Sequence, residues 1–189
     1  MSSQPLGRVL IIAGSDSGGG AGVQADIKTV TALGGYAATA ITALTVQNTL
    51  GVTDVHAAPL AIVEAQARAV LDDIGADAIK TGMLGDAATV DLVARLIADA
   101  GAPAVVDPVM VAKGGASLLA ADAVTAVRDQ LVPRAALLTP NAPEAEALTG
   151  LSVATTDDLR RAGEALLARG AKAVLMKGGT WPAIVWSTC

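Results

Sequence analysis

Six short apolar runs constrain this chain more than any other feature. They occupy residues 8–13, 38–46, 78–82, 104–107, 136–139 and 173–176, and Val, Ile, Leu and Ala dominate them with little polar alternation. A strand with one wet face alternates apolar and polar side chains, whereas a strand covered on both faces does not. Segments of helical period separate the runs. Val23, Ile27, Val30 and Leu33 recur at helical spacing before Gly34-Gly35. Pro59 opens a second helix through Leu71, and Asp86 caps a third that carries Val90, Val93 and Ile97 and stops at Gly101. Residues 121–131, 142–148 and 157–168 read as three more helices. This β-α order predicts an α/β fold, a mostly parallel sheet with helices on both faces.

With 189 residues the chain has room for one domain with a real core. Aromatic residues make up only 2% and Phe is absent, so small aliphatic side chains must fill that core. The net charge of −5 and the scarcity of rings for bases to stack on argue against nucleic-acid binding. Mean hydropathy is positive, yet no uninterrupted apolar stretch approaches the roughly 20 residues a membrane span needs. The first residues show no signal-peptide pattern, and the single cysteine, Cys189, excludes an internal disulfide framework. These features lead us to expect a cytoplasmic protein.

In parallel sheets ligands bind beyond the carboxyl ends of the strands, and here those ends carry the polar chemistry. After the first run comes Ala13-Gly14-Ser15-Asp16-Ser17-Gly18-Gly19-Gly20-Ala21-Gly22, with four glycines in its last five positions. Such a loop, opening a helix, lets backbone approach a ligand and offers N–H groups to a small polar molecule or anion. It lacks the clean G-x-G-x-x-G spacing and the ribose-binding carboxylate of a dinucleotide site, and no lysine follows it as in a P-loop. A tight strand-to-helix turn is the plainer alternative. Gln47 can donate and accept at once, which suits the edge of an aminopyrimidine; otherwise it is a polar strand end. Asp26 could accept from a substrate hydroxyl, or simply favour the helix dipole. Met83 could pack on a flat ring or fill core. Asp107 follows a buried strand, as a phosphate-positioning group or an Asx-type turn before Pro108. Asn141 and Glu144, three apart at a helix start, suit a hydrated Mg²⁺ on nucleotide phosphates, or a plain helix start. Lys177, before Gly178-Gly179, suits a phosphate or water. His56 and Cys189 receive no role.

Taken together, these segments resemble the hydroxymethylpyrimidine/phosphomethylpyrimidine kinases of thiamine biosynthesis, within the ribokinase-like superfamily. The residues are the glycine loop, Gln24-Ala25-Asp26, Thr42-Ala43-Leu44-Thr45-Val46-Gln47-Asn48-Thr49, Lys80-Thr81-Gly82-Met83-Leu84, Asp107-Pro108-Val109-Met110, Thr139-Pro140-Asn141-Ala142-Pro143-Glu144 and Lys177-Gly178-Gly179. The resemblance covers residues 8–179 of a single domain and implies a ribokinase-like fold. It implies two ATP-dependent phosphorylations, first of 4-amino-5-hydroxymethyl-2-methylpyrimidine and then of its monophosphate. It places Gln47 on the pyrimidine edge, with Gly14 and Asp26 nearby and Met83 and Val109 flanking the ring. It assigns Asp107, Asn141 and Glu144 to Mg²⁺ and phosphates and Lys177 to the ATP phosphates, with a homodimer as a family-level expectation.

Residues 180–189 depart from the pattern. The resemblance implies further strands and helices and a Gly-Thr-Gly-Cys motif whose N–H groups form an anion hole; Cys189 is not its cysteine. The expectation is a C-terminally truncated kinase without that catalytic motif. Each lost donor would cost roughly 3 kcal/mol of transition-state stabilisation. A non-catalytic pyrimidine-binding protein and a pyridoxal kinase-like enzyme are the alternatives weighed against it.

Overall fold

The first strand shows why the chain builds layers on both sides of a sheet. In β1 (Arg8–Asp16), Leu10 and Ile12 enter one apolar cluster while Ile11 and Ala13 enter another, and all four are fully buried. Residues two apart share a face, so a run of consecutive aliphatics feeds two cores at once. The smaller core lies under α1 (Gly22–Ala32), which contributes Val23 and Val30. The larger one gathers Val63 and Ala67 of α2 (Leu60–Asp73) and Val90, Val93 and Leu96 of α3 (Ala87–Ala100). It continues through Leu148 of α5 (Ala142–Thr149) and Leu159 and Leu166 of α6 (Thr156–Ala168).

The computed structural model describes residues 6–110, 121–178 and 184–187. The remaining strands are β2 (Tyr36–Asn48), β3 (Gly51–Ala57), β4 (Ala78–Thr81), β5 (Ala104–Val106), β6 (Ala135–Leu138), β7 (Ala173–Met176) and β8 (Ile184–Ser187). They form one sheet in the order β3-β2-β1-β4-β5-β6-β7-β8. The pairs β2/β1, β1/β4, β4/β5, β5/β6 and β6/β7 are parallel, while β3 and β8 join antiparallel. Helix α4 (Ala121–Ala126) runs on into a π-helical turn at Val127–Leu131. All six predicted strands and all six predicted helices are present within a few residues of their expected bounds.

Two strands go beyond the sequence reading. None of the seven residues of β3 is buried, so it carries no apolar signature to read. It pairs with β2 from Ala43↔Ala57 to Asn48↔Gly51, and His56, which received no role, lies within it opposite Leu44. Strand β8 falls in the segment expected only as a divergent tail, yet it pairs with β7 from Met176↔Ile184 to Ala173↔Ser187. Gly179 and Cys189 lie outside the described residues. Among the described residues, no helix is long and apolar enough to cross a membrane.

The expected helix boundaries have identifiable causes. The Asp86 carboxylate accepts from the Thr89 N–H at 2.8 Å, and Gly101 ends the same helix at φ 64°, where other residues are strained. At the start of β1, Arg8 clamps Asp77 ahead of β4, its Nη2 donating to Oδ1 at 2.8 Å and its Nε to Oδ2 at 3.0 Å. These bonds hold the Asp77 carboxyl down to about 2 against an ordinary 3.8. A depressed acid stabilises the fold above its unfolded value, and that contribution disappears as pH falls through the folded one. An NMR titration should therefore place the Asp77 midpoint near 2, and Arg8→Ala should return it towards 3.8.

Candidate functional site

A pocket of about 500 Å³ opens where the parallel strands end. Strand β1 brings Gly14 to it, α1 Asp26, β2 Gln47, the turn after β4 Met83, and the segment after β5 Val109. The five residues expected to surround the pyrimidine thus line one cavity. They arrive from five parts of the chain because the strand order places β2, β1, β4 and β5 side by side. Asp107 lines the same cavity.

Close packing shapes the floor. The buried Thr42 hydroxyl donates to the Met83 carbonyl at 2.7 Å, fixing the turn after β4. A Cβ on Gly14 would lie 2.5 Å from Met83 Cε, so only glycine lets that side chain lie where it does. Gly14 also sits where the β1/β2 register shifts, between the Ala13↔Ile41 and Ser15↔Leu44 pairs.

The glycine loop does something other than offer its N–H groups to an anion. The buried Asp16 carboxylate accepts from the N–H groups of Gly18 at 2.8 Å, Gly20 at 2.9 Å and Ala21 at 2.8 Å. The Asp16 carbonyl takes the Gly19 N–H at 3.0 Å. Four consecutive donors therefore bind one residue of the chain itself. The physical reason is proximity: a carboxylate two residues before a turn reaches the turn's donors at once. The loop forms a wall of the pocket with these four donors turned inward.

Lys80 was not singled out from the sequence. Its Nζ lies 2.7 Å from Asp26 Oδ2, both side chains are about a quarter exposed, and both residues line the pocket. The signal lay in the pattern Ala78-Ile79-Lys80-Thr81, because a lysine in a strand covered on both faces requires a partner.

Beside the pocket a second polar group gathers. Lys177 Nζ lies 2.7 Å from Asp107 Oδ1 and 3.7 Å from Glu144 Oε2. Its backbone N–H donates to the Pro140 carbonyl at 2.8 Å, and a parallel bridge joins Asn141 to Lys177. The Thr139 hydroxyl reaches Asp107 Oδ1 at 3.2 Å. Asn141 and Glu144 form a capping box at the start of α5. Asn141 Oδ1 accepts from the Glu144 N–H at 2.9 Å, and Glu144 Oε2 from the Asn141 N–H at 2.8 Å. The structure thus gives Asn141 the helix-start role weighed beside its metal role. Burial pushes the Glu144 carboxyl above the usual range and the Asp107 charge adds to that, while the Asn141 N–H and Lys177 pull it down. Among the described residues, no group of three or more His, Cys, Asp or Glu side chains could form a metal cage.

A model of the phosphomethylpyrimidine kinase family matches residues 16–185. The chain belongs to that family. Among family relatives, the hydroxymethylpyrimidine/phosphomethylpyrimidine kinase of Bacillus subtilis is 51% identical over 176 residues, 93% of this chain and 65% of that one. The Streptomyces coelicolor enzyme of the same name is 53% identical over 171 residues, 90% of this chain and 64% of that one. This family member thus spans just under two thirds of the length of those two relatives. The crystal structure of phosphomethylpyrimidine kinase from Clostridium difficile superimposes with a TM-score of 0.88 at 42% identity, covering 95% of this chain and 80% of the other. Staphylococcus aureus pyridoxal kinase in complex with pyridoxal gives 0.89 at 36% identity, covering 97% and 69%. The expected ribokinase-like fold is the fold observed.

Proposed function

We infer that this chain carries the acceptor and phosphate sites of a kinase domain for which 4-amino-5-hydroxymethyl-2-methylpyrimidine, and then its monophosphate, accept the γ-phosphoryl group of ATP. One observation carries this reading: Gly14, Asp26, Gln47, Met83 and Val109 share one pocket with Asp107, and Asp107 also belongs to the Lys177–Glu144 cluster. The acceptor site and the charged site thus meet at one residue.

The chemistry follows from that arrangement. Gln47 presents a donor and an acceptor to the aminopyrimidine edge, and Asp26, held by Lys80, accepts from the ligand's hydroxyl or amine. Met83 and Val109 flank the ring. In the first transfer the hydroxymethyl oxygen forms the new bond to the γ-phosphorus as the bond from that phosphorus to the ADP oxygen breaks, and the hydroxyl proton passes to water; in the second a phosphate oxygen of the monophosphate is the attacking atom. Phosphoryl transfer of this kind depends on positioning and charge neutralisation, which the Lys177 ammonium supplies at the phosphates. Two carboxyl groups beside one ammonium offer the few protein oxygens that a largely hydrated Mg²⁺ takes. Asp107 and Glu144 would hold that ion and Asn141 would hold Glu144, the ion adding positive charge to the phosphates. The exposed apolar residues Leu44, Val46 and Leu50 around the β2–β3 hairpin support the homodimer expected of the family. We place the reaction in the cytoplasm, as expected of a biosynthetic enzyme.

ADP formation with Mg²⁺ and ATP tests the reading. Dependence on the hydroxymethylpyrimidine, and indifference to pyridoxal, supports it. ADP formed with pyridoxal and not with the pyrimidine overturns it in favour of a pyridoxal kinase. Pyrimidine binding without ADP formation leaves the non-catalytic binding protein.

A further inference from the structure

The Ser17 hydroxyl makes two hydrogen bonds to a single residue on another strand. It accepts from the Gln47 N–H at 2.8 Å and donates to the Gln47 carbonyl at 2.6 Å. The topology explains why the Gln47 backbone needs this. Strand β1 stops pairing with β2 at Asp16↔Thr45, where the chain turns into the glycine loop. Two residues further on, Gln47 has no β1 residue beside it. On its other side the β2/β3 ladder shifts register between Val46 and Gln47, skipping Thr53. At such a frayed end the ladder leaves the Gln47 N–H and C=O without a β1 partner, and a nearby hydroxyl can take both. One serine hydroxyl, which both donates and accepts, stands in for the strand that has turned away.

The loop is held close enough for this. A Cβ on Gly18 would lie 3.4 Å from the Gln47 carbonyl oxygen and 3.5 Å from Asn48 Cα. Asp16 anchors the loop from inside, as described above. The Thr45 hydroxyl, 2.9 Å from the Ser15 carbonyl, also lies 3.3 Å from Gln47 Oε1. The seam between loop and strand therefore fixes the Gln47 backbone, and the same Thr45 hydroxyl is the nearest donor to its side-chain amide oxygen.

We propose that Ser17 is a positioning residue for aminopyrimidine recognition: its hydroxyl fixes the β2 end so that the Gln47 amide meets the ligand edge in one orientation. The proposal deepens the functional reading above and rests on it. A glutamine that reads a donor–acceptor pair discriminates only while its amide plane is held.

The test is a double-mutant cycle read by calorimetric titration of 4-amino-5-hydroxymethyl-2-methylpyrimidine. Ser17→Ala should weaken binding severalfold, up to about tenfold, the range for one lost hydrogen bond that water can partly replace. Ser17→Thr, which keeps the hydroxyl, should restore binding. In a Gln47→Ala background, Ser17→Ala should cause no further loss, whereas a merely structural role would lower affinity in both backgrounds. Equal affinity of Ser17→Ala and the parent, or the same loss in both backgrounds, overturns the proposal while leaving pyrimidine binding intact. A parent chain that binds no pyrimidine overturns the functional reading itself. Hydrogen exchange at the Gln47 amide then judges the clamp alone: faster exchange in Ser17→Ala supports it, and unchanged exchange overturns it.

Discussion

Asp16→Ala is expected to destabilise the protein by about 3 kcal/mol, and to lower its melting temperature by about 10 °C. The carboxylate accepts three backbone N–H groups at 2.8–2.9 Å while itself only 5% exposed. Charge-assisted bonds of this kind are stronger than neutral ones, and removing the acceptor leaves donors in a partly buried loop without a partner. Water can reach part of the loop, since Gly18, Gly20 and Ala21 are exposed residues, so the loss is smaller than three full bonds. Asp16→Asn should fall between parent and alanine variant. It keeps one acceptor oxygen but turns an amide N–H towards some of the same donors. Thermal denaturation of the three proteins checks the order, and an alanine variant within about 0.5 kcal/mol of the parent would contradict the anchoring role.

Gly22→Ala should be at least as damaging, for a different reason. Gly22 has φ +56°, and a Cβ there would lie 2.4 Å from the Gly14 carbonyl oxygen and 3.0 Å from the Asp16 amide nitrogen. Both neighbours are backbone, so no side chain can swing aside. The left-handed conformation costs about 1–2 kcal/mol and the overlap about 1–3 more. The expected loss is about 3–4 kcal/mol, read as a fall in melting temperature and in soluble yield. Gly14→Ala provides the contrast. Its Cβ would meet Met83 Cε at 2.5 Å, the far end of a flexible side chain, and the next atom, the Ala43 carbonyl oxygen, is 3.7 Å away. Gly14→Ala should therefore fold nearly as well as the parent while displacing Met83 into the pocket. Equal melting temperatures for Gly22→Ala and the parent would contradict the steric account.

The parts of the fold that were legible share one property: their pattern is local. Leu10-Ile11-Ile12-Ala13 announces a strand covered on both faces, and Asp86 and Gly101 announce the ends of a helix. Strand β3 was not legible because an exposed edge strand needs only backbone pairing, and backbone pairing leaves no mark on side-chain choice. The pocket residues became legible through a family pattern. The order of Gly14, Asp26, Gln47, Met83 and Val109 along the chain does not itself bring them together; the strand order does. The contributions of Asp16, Ser17 and Lys80 were hidden for a related reason. Each depends on partners identified by geometry: the loop's own N–H groups, a strand end 30 residues away, and a carboxylate 54 residues away. A carboxylate just before a run of glycines is nonetheless a known turn signature, and it could have warned that the loop's donors would be claimed from within.

The most direct test of the central claim is calorimetric titration of 4-amino-5-hydroxymethyl-2-methylpyrimidine into the 189-residue chain and into its Gln47→Ala variant. The account predicts saturable binding by the parent. It predicts a loss of about tenfold to a hundredfold in the variant, because the ligand's polar edge would enter the pocket without its partner. Binding of equal strength in both, or none by a parent chain shown to be folded, would contradict it.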